Sequence, residues 1–483
     1  SGAFGNVIGA VRPTEWAAGL LGLSFRSLNP YRDGQGNRVL DSDQDVRSGI
    51  GKIVLTPGEG QELKLGGQYQ RYDFTNGLGT AAAPRRENEV TTQNYTAQYS
   101  FSRPDIPWLN LKVSAYNTRT ETDQTQISGT GIARGAKRYF NIETTGFDIA
   151  NTSKFQFGAL GLDLTYGADW FEDKVKTSDP VSNGDATTPS GKRTVYGGFV
   201  QAHFKYSIFD LIGALRYDSY ELSGGRTSSD GQRLSPKVTL GVTPIQGLQV
   251  YATYAEGYRA PSVTEMLVDG LHPAPASFLF RPNPNLKPEV GKTIEAGVNL
   301  KYDNVLQAGD RFRGKLSVFQ NNVTNFIEGV FTDPGRPCGS GGNSCDDAFF
   351  IYQNVAKAKL TGIEGEFAYD AGRWFASLSG SSIRGDNETN GQPLQSVYPD
   401  KLTLGAGLRF LDEKLTVGGR VTLVDEQRRL PASALATASK AYTLVDLYAD
   451  YKITPDARAF VTLENVGDVR YKRVRDRDNS PAF

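Results

Sequence analysis

The sequence predicts an all-β chain, folded as a large antiparallel transmembrane β-barrel. Three observations carry that prediction. Period-two alternation of apolar and polar residues runs through most of the 483 residues. The connections between alternating segments switch regularly between short and long. No run approaches the ~18 apolar residues of a transmembrane helix. Hydropathy alone would read such a chain as soluble, but in a barrel the lipid-facing and lumen-facing residues alternate and average out.

About twenty segments fit the alternation template, near 4–13, 16–28, 45–57, 61–74, 94–103, 109–124, 139–156, 159–176, 194–207, 209–222, 234–245, 248–260, 293–305, 311–327, 351–370, 374–386, 398–411, 415–427, 441–453 and 457–471. Between Thr293 and Tyr302, Ile294, Ala296, Val298, Leu300 and Tyr302 form one face, and Thr293, Glu295, Gly297, Asn299 and Lys301 the other. Lys401 to Phe410 repeats the pattern, with Leu402, Leu404, Ala406, Leu408 and Phe410 set against Lys401, Thr403, Gly405, Gly407 and Arg409. Strands of this kind have one apolar and one wet face. Many exceed the roughly five or six residues of globular strands and fit oblique bilayer crossings that project beyond it.

The connections decide the architecture. Pro57–Gly60, Gly158–Leu160, Ser207–Phe209, Pro244–Gly247, Asp370–Arg373, Asp412–Lys414 and Thr454–Asp456 are short; 29–44, 75–93, 177–193, 261–292, 328–350, 387–397 and 428–440 are long. Tight turns on one side and long loops on the other match periplasmic turns and extracellular loops. By the same parity the first strand descends and the last ascends, so one further strand is expected at each end, about 22 in the intact barrel. A barrel that wide holds either an open channel or a plug. No plug domain is legible within 1–483, which reads as one barrel domain, and a plug is expected before residue 1.

Composition narrows function. Lys plus Arg and Asp plus Glu are equal at 53 each, so no basic excess supports nucleic-acid binding. The opening SGAFGNVIGA has neither the charged nor the apolar region of a signal peptide, so either a signal was removed or the chain is a piece of something longer. Cys338 and Cys345 lie in GRPCGSGGNSC, a Gly/Ser-rich segment able to bend into a small loop disulfide, which implies an oxidising compartment; free thiols or a chance metal pair are the alternatives. Gly129–Gly135 (GTGIARG) departs from dinucleotide-fingerprint spacing, and neither a G-x-S-x-G elbow nor an H-E-x-x-H helix occurs. The chain is not read as an enzyme. His203 shares a polar face with Gln201 and Lys205, which places it on the lumen wall near a periplasmic turn.

One stretch stands out. Between Tyr251 and Glu289 the chain leaves a strand, crosses a loop of roughly thirty residues and returns, and loops that long are usually functional or disordered. The loop holds His272, one of two histidines in the chain, inside Leu271-His272-Pro273-Ala274-Pro275. Tyr258-Arg259-Ala260-Pro261 and Asn283-Pro284-Asn285-Leu286 flank it.

At these residues the sequence resembles the TonB-dependent outer-membrane receptor family, and within it the haem and haemophore receptor branch. Tyr258-Arg259-Ala260-Pro261 resembles the branch's FRAP box with Tyr for Phe, and Asn283-Pro284-Asn285-Leu286 matches its NPNL box. Asn354 to Glu364 (NVAKAKLTGIE) and Leu463 to Tyr471 (LENVGDVRY) resemble two general family segments. The resemblance implies a Gram-negative outer-membrane location among lipid, coupling to a TonB-ExbB-ExbD complex through the plug, and uptake of haem as a transported ligand rather than a prosthetic group. It also implies a haem source, either free haem or a carrier such as haemoglobin or a haemophore. His272 becomes an axial ligand to the haem iron, on the seventh extracellular loop once a missing first strand is counted, with the second ligand from the plug. Phe278, Leu279 and Phe280 are candidates for an apolar wall or for packing of the loop onto itself. Arg259, Arg281 and Lys287 are candidates for propionate contacts, although pairing with Glu256, Glu265 or Glu289 at the loop base is the preferred reading. The two boxes read as loop anchors rather than ligand contacts. A ferric-siderophore receptor that does not depend on His272, and a passive pore without a plug, are the alternatives.

Overall fold

The computed structural model describes residues 2–32, 36–76, 85–128, 134–179, 189–225, 227–271, 279–331, 349–394, 396–431, 438–455 and 457–473. His272, Phe278, Cys338 and Cys345 lie outside them.

The elements are β1 (Gly2–Thr14), β2 (Ala17–Leu28), β3 (Gln44–Leu55), β4 (Gln61–Asn76), β5 (Arg85–Ser102), β6 (Asn110–Ser128), β7 (Lys137–Phe157), β8 (Leu160–Ser178), β9 (Gly191–Tyr206), β10 (Phe209–Gly224), β11 (Thr227–Ile245) and β12 (Leu248–Arg259). A short helix, α1 (Val263–Leu267), and two strand fragments, β13 (Gly270–Leu271) and β14 (Leu279–Arg281), follow. The wall then resumes with β15 (Glu289–Asp303), β16 (Arg311–Phe331), β17 (Phe349–Asp370), β18 (Trp374–Asn387), β19 (Lys401–Phe410), β20 (Leu415–Val424), β21 (Tyr442–Thr454) and β22 (Ala457–Leu463). Each wall strand pairs antiparallel with the next, β12 joining β15 across the loop between them. Among the described residues β1 pairs only with β2, and β22 only with β21, so the described sheet has two open edges.

Register carries the alternation of each strand into rows. Val250, Val298 and Leu316 lie side by side across β12, β15 and β16, and Leu378, Leu404, Val421 and Val445 across β18 to β21. Many side chains on this face are exposed, Ile294 being 60% and Leu408 51% accessible, which marks an apolar belt rather than a core. On β8 the belt runs from Leu160 to Trp170 before Glu172 and Lys174 succeed it. Ten residues at ~3.3 Å, tilted by ~40°, make a band about 25 Å tall, the apolar height of an outer-membrane barrel. Aromatics mark both margins, with Phe157, Tyr206 and Phe209 at the turn end and Trp170, Tyr196 and Tyr217 at the loop end. The inward face is polar. His203 lies there near a turn, its Nε2 2.8 Å from Asp210 Oδ1, beside the Lys205–Asp163 pair at 2.5 Å.

Boundaries depart from the sequence expectation above the belt. The expected break between 222 and 234 is instead a continuous hairpin, with Gly224 opposite Thr227. Ser228, Asp230 and Gln232 carry it, and a strand that is wet on both faces has no apolar period to detect. β5 begins at Arg85 rather than near 94, for the same reason. The last segment, expected to reach 471, stops at Leu463, because Asn465 and Asp468 adopt positive φ. Asn465 holds that turn by accepting from Val469 N–H and donating to its carbonyl, both at 3.0 Å.

Candidate loop site at the barrel mouth

The 260–288 loop is built from its roots upward. The β11–β12 ladder ends at Lys237–Ala255, although both strands continue. Above that level β12 stays paired with β15, up to Arg259 opposite Glu289. Pro261 is fully buried and accepts from Arg193 Nη1 of β9 at 3.3 Å, which pins the loop's first turn to the inner wall. Ser262 then caps α1. Its Oγ accepts the Glu265 N–H at 3.2 Å, and Glu265 Oε2 accepts the Ser262 N–H at 2.8 Å, a reciprocal capping box.

The apolar face of α1 packs on β9 and β10. Met266, the only methionine in the chain, is wholly buried, in one cluster with Val175, Tyr220, Leu222, Ala260 and Leu286. Gly191 and Gly224 permit this approach, since a Cβ at Gly191 would collide with Val263 and one at Gly224 with Leu267. Tyr258 leans toward Tyr220, ring centroids 6.3 Å apart, and burial raises its phenol pKa.

Arg259 is a clamp. Its Nε and Nη2 meet the two oxygens of Glu289 at 2.6 and 2.7 Å, and its Nη1 meets both oxygens of Glu265 at 3.0 Å. The hydrogen bond to Glu289, then that to Glu265, outweighs burial and raises the guanidinium pKa further above its ordinary value. Glu289 also accepts the Ile327 N–H at 2.7 Å, so the clamp joins β12, α1, β15 and β16.

The second root is stitched to β17. Asn283 donates to Tyr352 O at 2.9 Å and accepts from Asn285 N–H at 3.1 Å, while its own N–H reaches Met266 O at 3.0 Å. Leu286 is buried; Pro284 and Asn285 are exposed. Asn354 accepts the Lys287 N–H at 2.8 Å and donates to the carbonyls of Lys287 and Asn325 at 2.9 and 2.7 Å. β14 runs parallel to the start of β17. Phe280 meets Phe350 edge-on at 5.4 Å, and Arg281 lies 4.0 Å over the Phe349 ring. Leu271 pairs with Leu279, so the described strands on either side of 272–278 form one short hairpin.

The structure therefore brings Tyr258, Arg259, Ala260, Pro261, Asn283 and Leu286 together as supports, and places Phe280 and Arg281 against loop-end aromatics of β17. Asn354, Glu265, Glu289 and Arg193 do most of the fastening. The capping box at Ser262–Glu265 has a local signal, the S-x-x-E pattern; the link from Asn354 to Lys287 spans 67 residues and leaves none. Among the described residues no group of three or more His, Cys, Asp or Glu gathers as a metal site.

Long antiparallel strands with an exposed apolar belt on one face and polar residues on the other define a transmembrane β-barrel wall. The family model described as TonB dependent receptor-like, beta-barrel matches residues 26–466, and the chain belongs to that family. Similar proteins include the Heme/hemopexin utilization protein C of Haemophilus influenzae, 28% identical over 409 residues, covering 80% of this chain and 55% of that protein. The Hemin receptor of Yersinia enterocolitica is 24% identical over 502 residues, covering 96% of this chain and 68% of that protein. Among solved structures, a double mutant of the Serratia marcescens hemophore receptor HasR in complex with its hemophore HasA and heme aligns with a TM-score of 0.83 at 23% identity, covering 99% of this chain and 76% of that one. The chain thus spans little more than half the length of the first of these relatives.

Proposed function

We propose that this chain is the barrel of an outer-membrane receptor that captures haem, free or from a haemoprotein or haemophore, and that His272 supplies one axial ligand to its iron. The observation that carries this reading is the fastening of the 260–288 loop at both roots, by the Arg259 clamp to Glu265 and Glu289 and by Asn354 at Lys287, while His272 itself lies outside the described residues. A ligand held on a rigid support loses less entropy on binding than one on a free loop. Relatives named for haem and hemin support the substrate class. The apolar belt suits a bilayer, with the short turns periplasmic. Two further strands would close the open edges, since unpaired edges in lipid are prohibitively costly. Movement of haem through the lumen is assigned to a TonB-coupled plug outside residues 1–483.

The test is growth of an iron-starved strain that carries the full-length receptor, with haem as the sole iron source. The reading expects growth that is lost without TonB and sharply reduced by His272→Ala. Growth on a ferric siderophore but not on haem would favour the siderophore reading. Haem uptake that persists without TonB would favour a passive pore.

A further inference from the structure

The inner wall carries a second cationic feature, away from the clamp. Arg86 on β5, Gln126 on β6, Arg138 on β7 and Asp179 beyond β8 face the lumen at the loop end. Gln126 is 3%, Arg138 6% and Asp179 9% exposed. Among the described residues two guanidinium groups here share one carboxylate, that of Asp179. Arg138 Nη2 lies 2.7 Å from Asp179 Oδ2, an ion pair. Arg86 Nη2 is buried with no hydrogen-bond partner among the described residues, and so is Gln126 Oε1. The neighbouring amides are already used. Asn88 donates to Asn76 Oδ1 and the carbonyls of Phe74 and Arg86, and it accepts from Gln124.

A half-buried guanidinium that is only partly compensated by a shared carboxylate is costly. The cost shows in Arg86, whose pKa is lowered first by desolvation and then by Arg138, with Asp179 offsetting only part. The arrangement is therefore complementary to one more anion. Its position is informative as well. Ile142 pairs with Val175, which belongs to the apolar cluster under α1. Arg138 and Asp179 lie four residues further along the same two strands, about 13 Å away.

We propose that Arg86 and Arg138 form an anion site that takes a carboxylate of the transported ligand, a propionate if that ligand is haem. The carboxylate's source rests on the haem reading; the excess of cationic donors does not. The two forks offer parallel N–H bonds of the geometry that carboxylates accept best. Gln126 Oε1 accepts from a water carried in with the carboxylate.

The test compares haem with haem dimethyl ester, by Soret titration of the full-length receptor in detergent. Wild type is expected to prefer haem by at least about tenfold, the scale of one charge-assisted hydrogen bond. Arg86→Gln is expected to abolish that preference while leaving ester affinity unchanged and the melting midpoint of the unliganded receptor no lower, because it removes a charge that Asp179 only partly offsets. Arg86→Lys, which keeps the charge but not the fork, is expected to fall between, and it serves if the Gln variant does not fold. Equal binding of haem and ester by wild type, or a full preference retained by the Gln variant, overturns the site while leaving the haem reading intact. Failure of wild type to bind either porphyrin overturns both.

Discussion

Arg259 and Arg86 are both arginines on strands at the loop end of one barrel, and their surroundings are opposite. Arg259 has two carboxylates to itself, Glu265 and Glu289, and all of its donors toward them are used. Arg86 has a second guanidinium beside it, one shared carboxylate and an idle Nη2. A saturated cation fastens structure. An under-compensated one stores a preference for something not yet bound. The lesson extends to the sequence motif: the arginine that stands out in the Tyr258–Pro261 box is the structural one, and the arginine with spare capacity lies outside any motif.

Variants can break this contrast. The largest effect is expected from Arg259→Ala, which leaves Glu265 and Glu289 facing each other with side chains only 18% and 12% exposed. The loop should lose about 1–3 kcal/mol of local stability, below the buried-pair scale because the arginine itself is 45% exposed. Hydrogen exchange across 262–290 would report it, and unchanged protection there would mean that the clamp holds nothing. Met266→Ala empties a fully buried position and should cost about 2 kcal/mol locally, with faster exchange in α1 but an intact wall. Asn354→Ala removes three hydrogen bonds between β17, Lys287 and Asn325 and should loosen the second root by about 1–2 kcal/mol. If its loss frees the first root equally, the two roots are one unit rather than two.

The smallest expected effect is confined to the turn between β15 and β16. Burial alone would raise the Asp310 pKa. The Tyr369 hydroxyl and the N–H groups of Val305, Gln307 and Leu306 more than reverse this and hold the carboxylate well below its ordinary range. A depressed folded pKa contributes stability above the unfolded value near ~4, lost as pH falls through the folded one. Asp310→Asn should therefore melt below wild type at neutral pH, and the gap should close toward the lowest pH. A gap that is constant with pH would assign the effect to shape rather than charge.

Much of this architecture is legible in the sequence, for identifiable reasons. Within the belt, burial on one face imposes a period of two, and Thr293–Tyr302 and Lys401–Phe410 appear as strands at nearly those bounds. Above the belt both faces are wet and the period vanishes, so alternation alone places the β10–β11 hairpin and the start of β5 too short. The preferred pairing with glutamates at the loop base holds for Arg259, with Glu265 six residues on and Glu289 opposite it in the β12–β15 ladder, whereas Arg281 lies over Phe349 instead. The role of Asn354 is not legible, since contacts 29 and 67 residues away are set by register rather than by local pattern. α1 has a sequence signature in its capping box, but five residues make too short a helix to show an apolar period, and the stretch otherwise reads as plain loop.

Ligation of haem iron by His272 is met directly by one measurement: Soret titration of the full-length receptor with haem, for wild type and His272→Ala. The account predicts a shifted Soret band in wild type and a weakened or altered one in the variant. Equal affinity and identical spectra from the two proteins would contradict it, and would move the iron to other ligands.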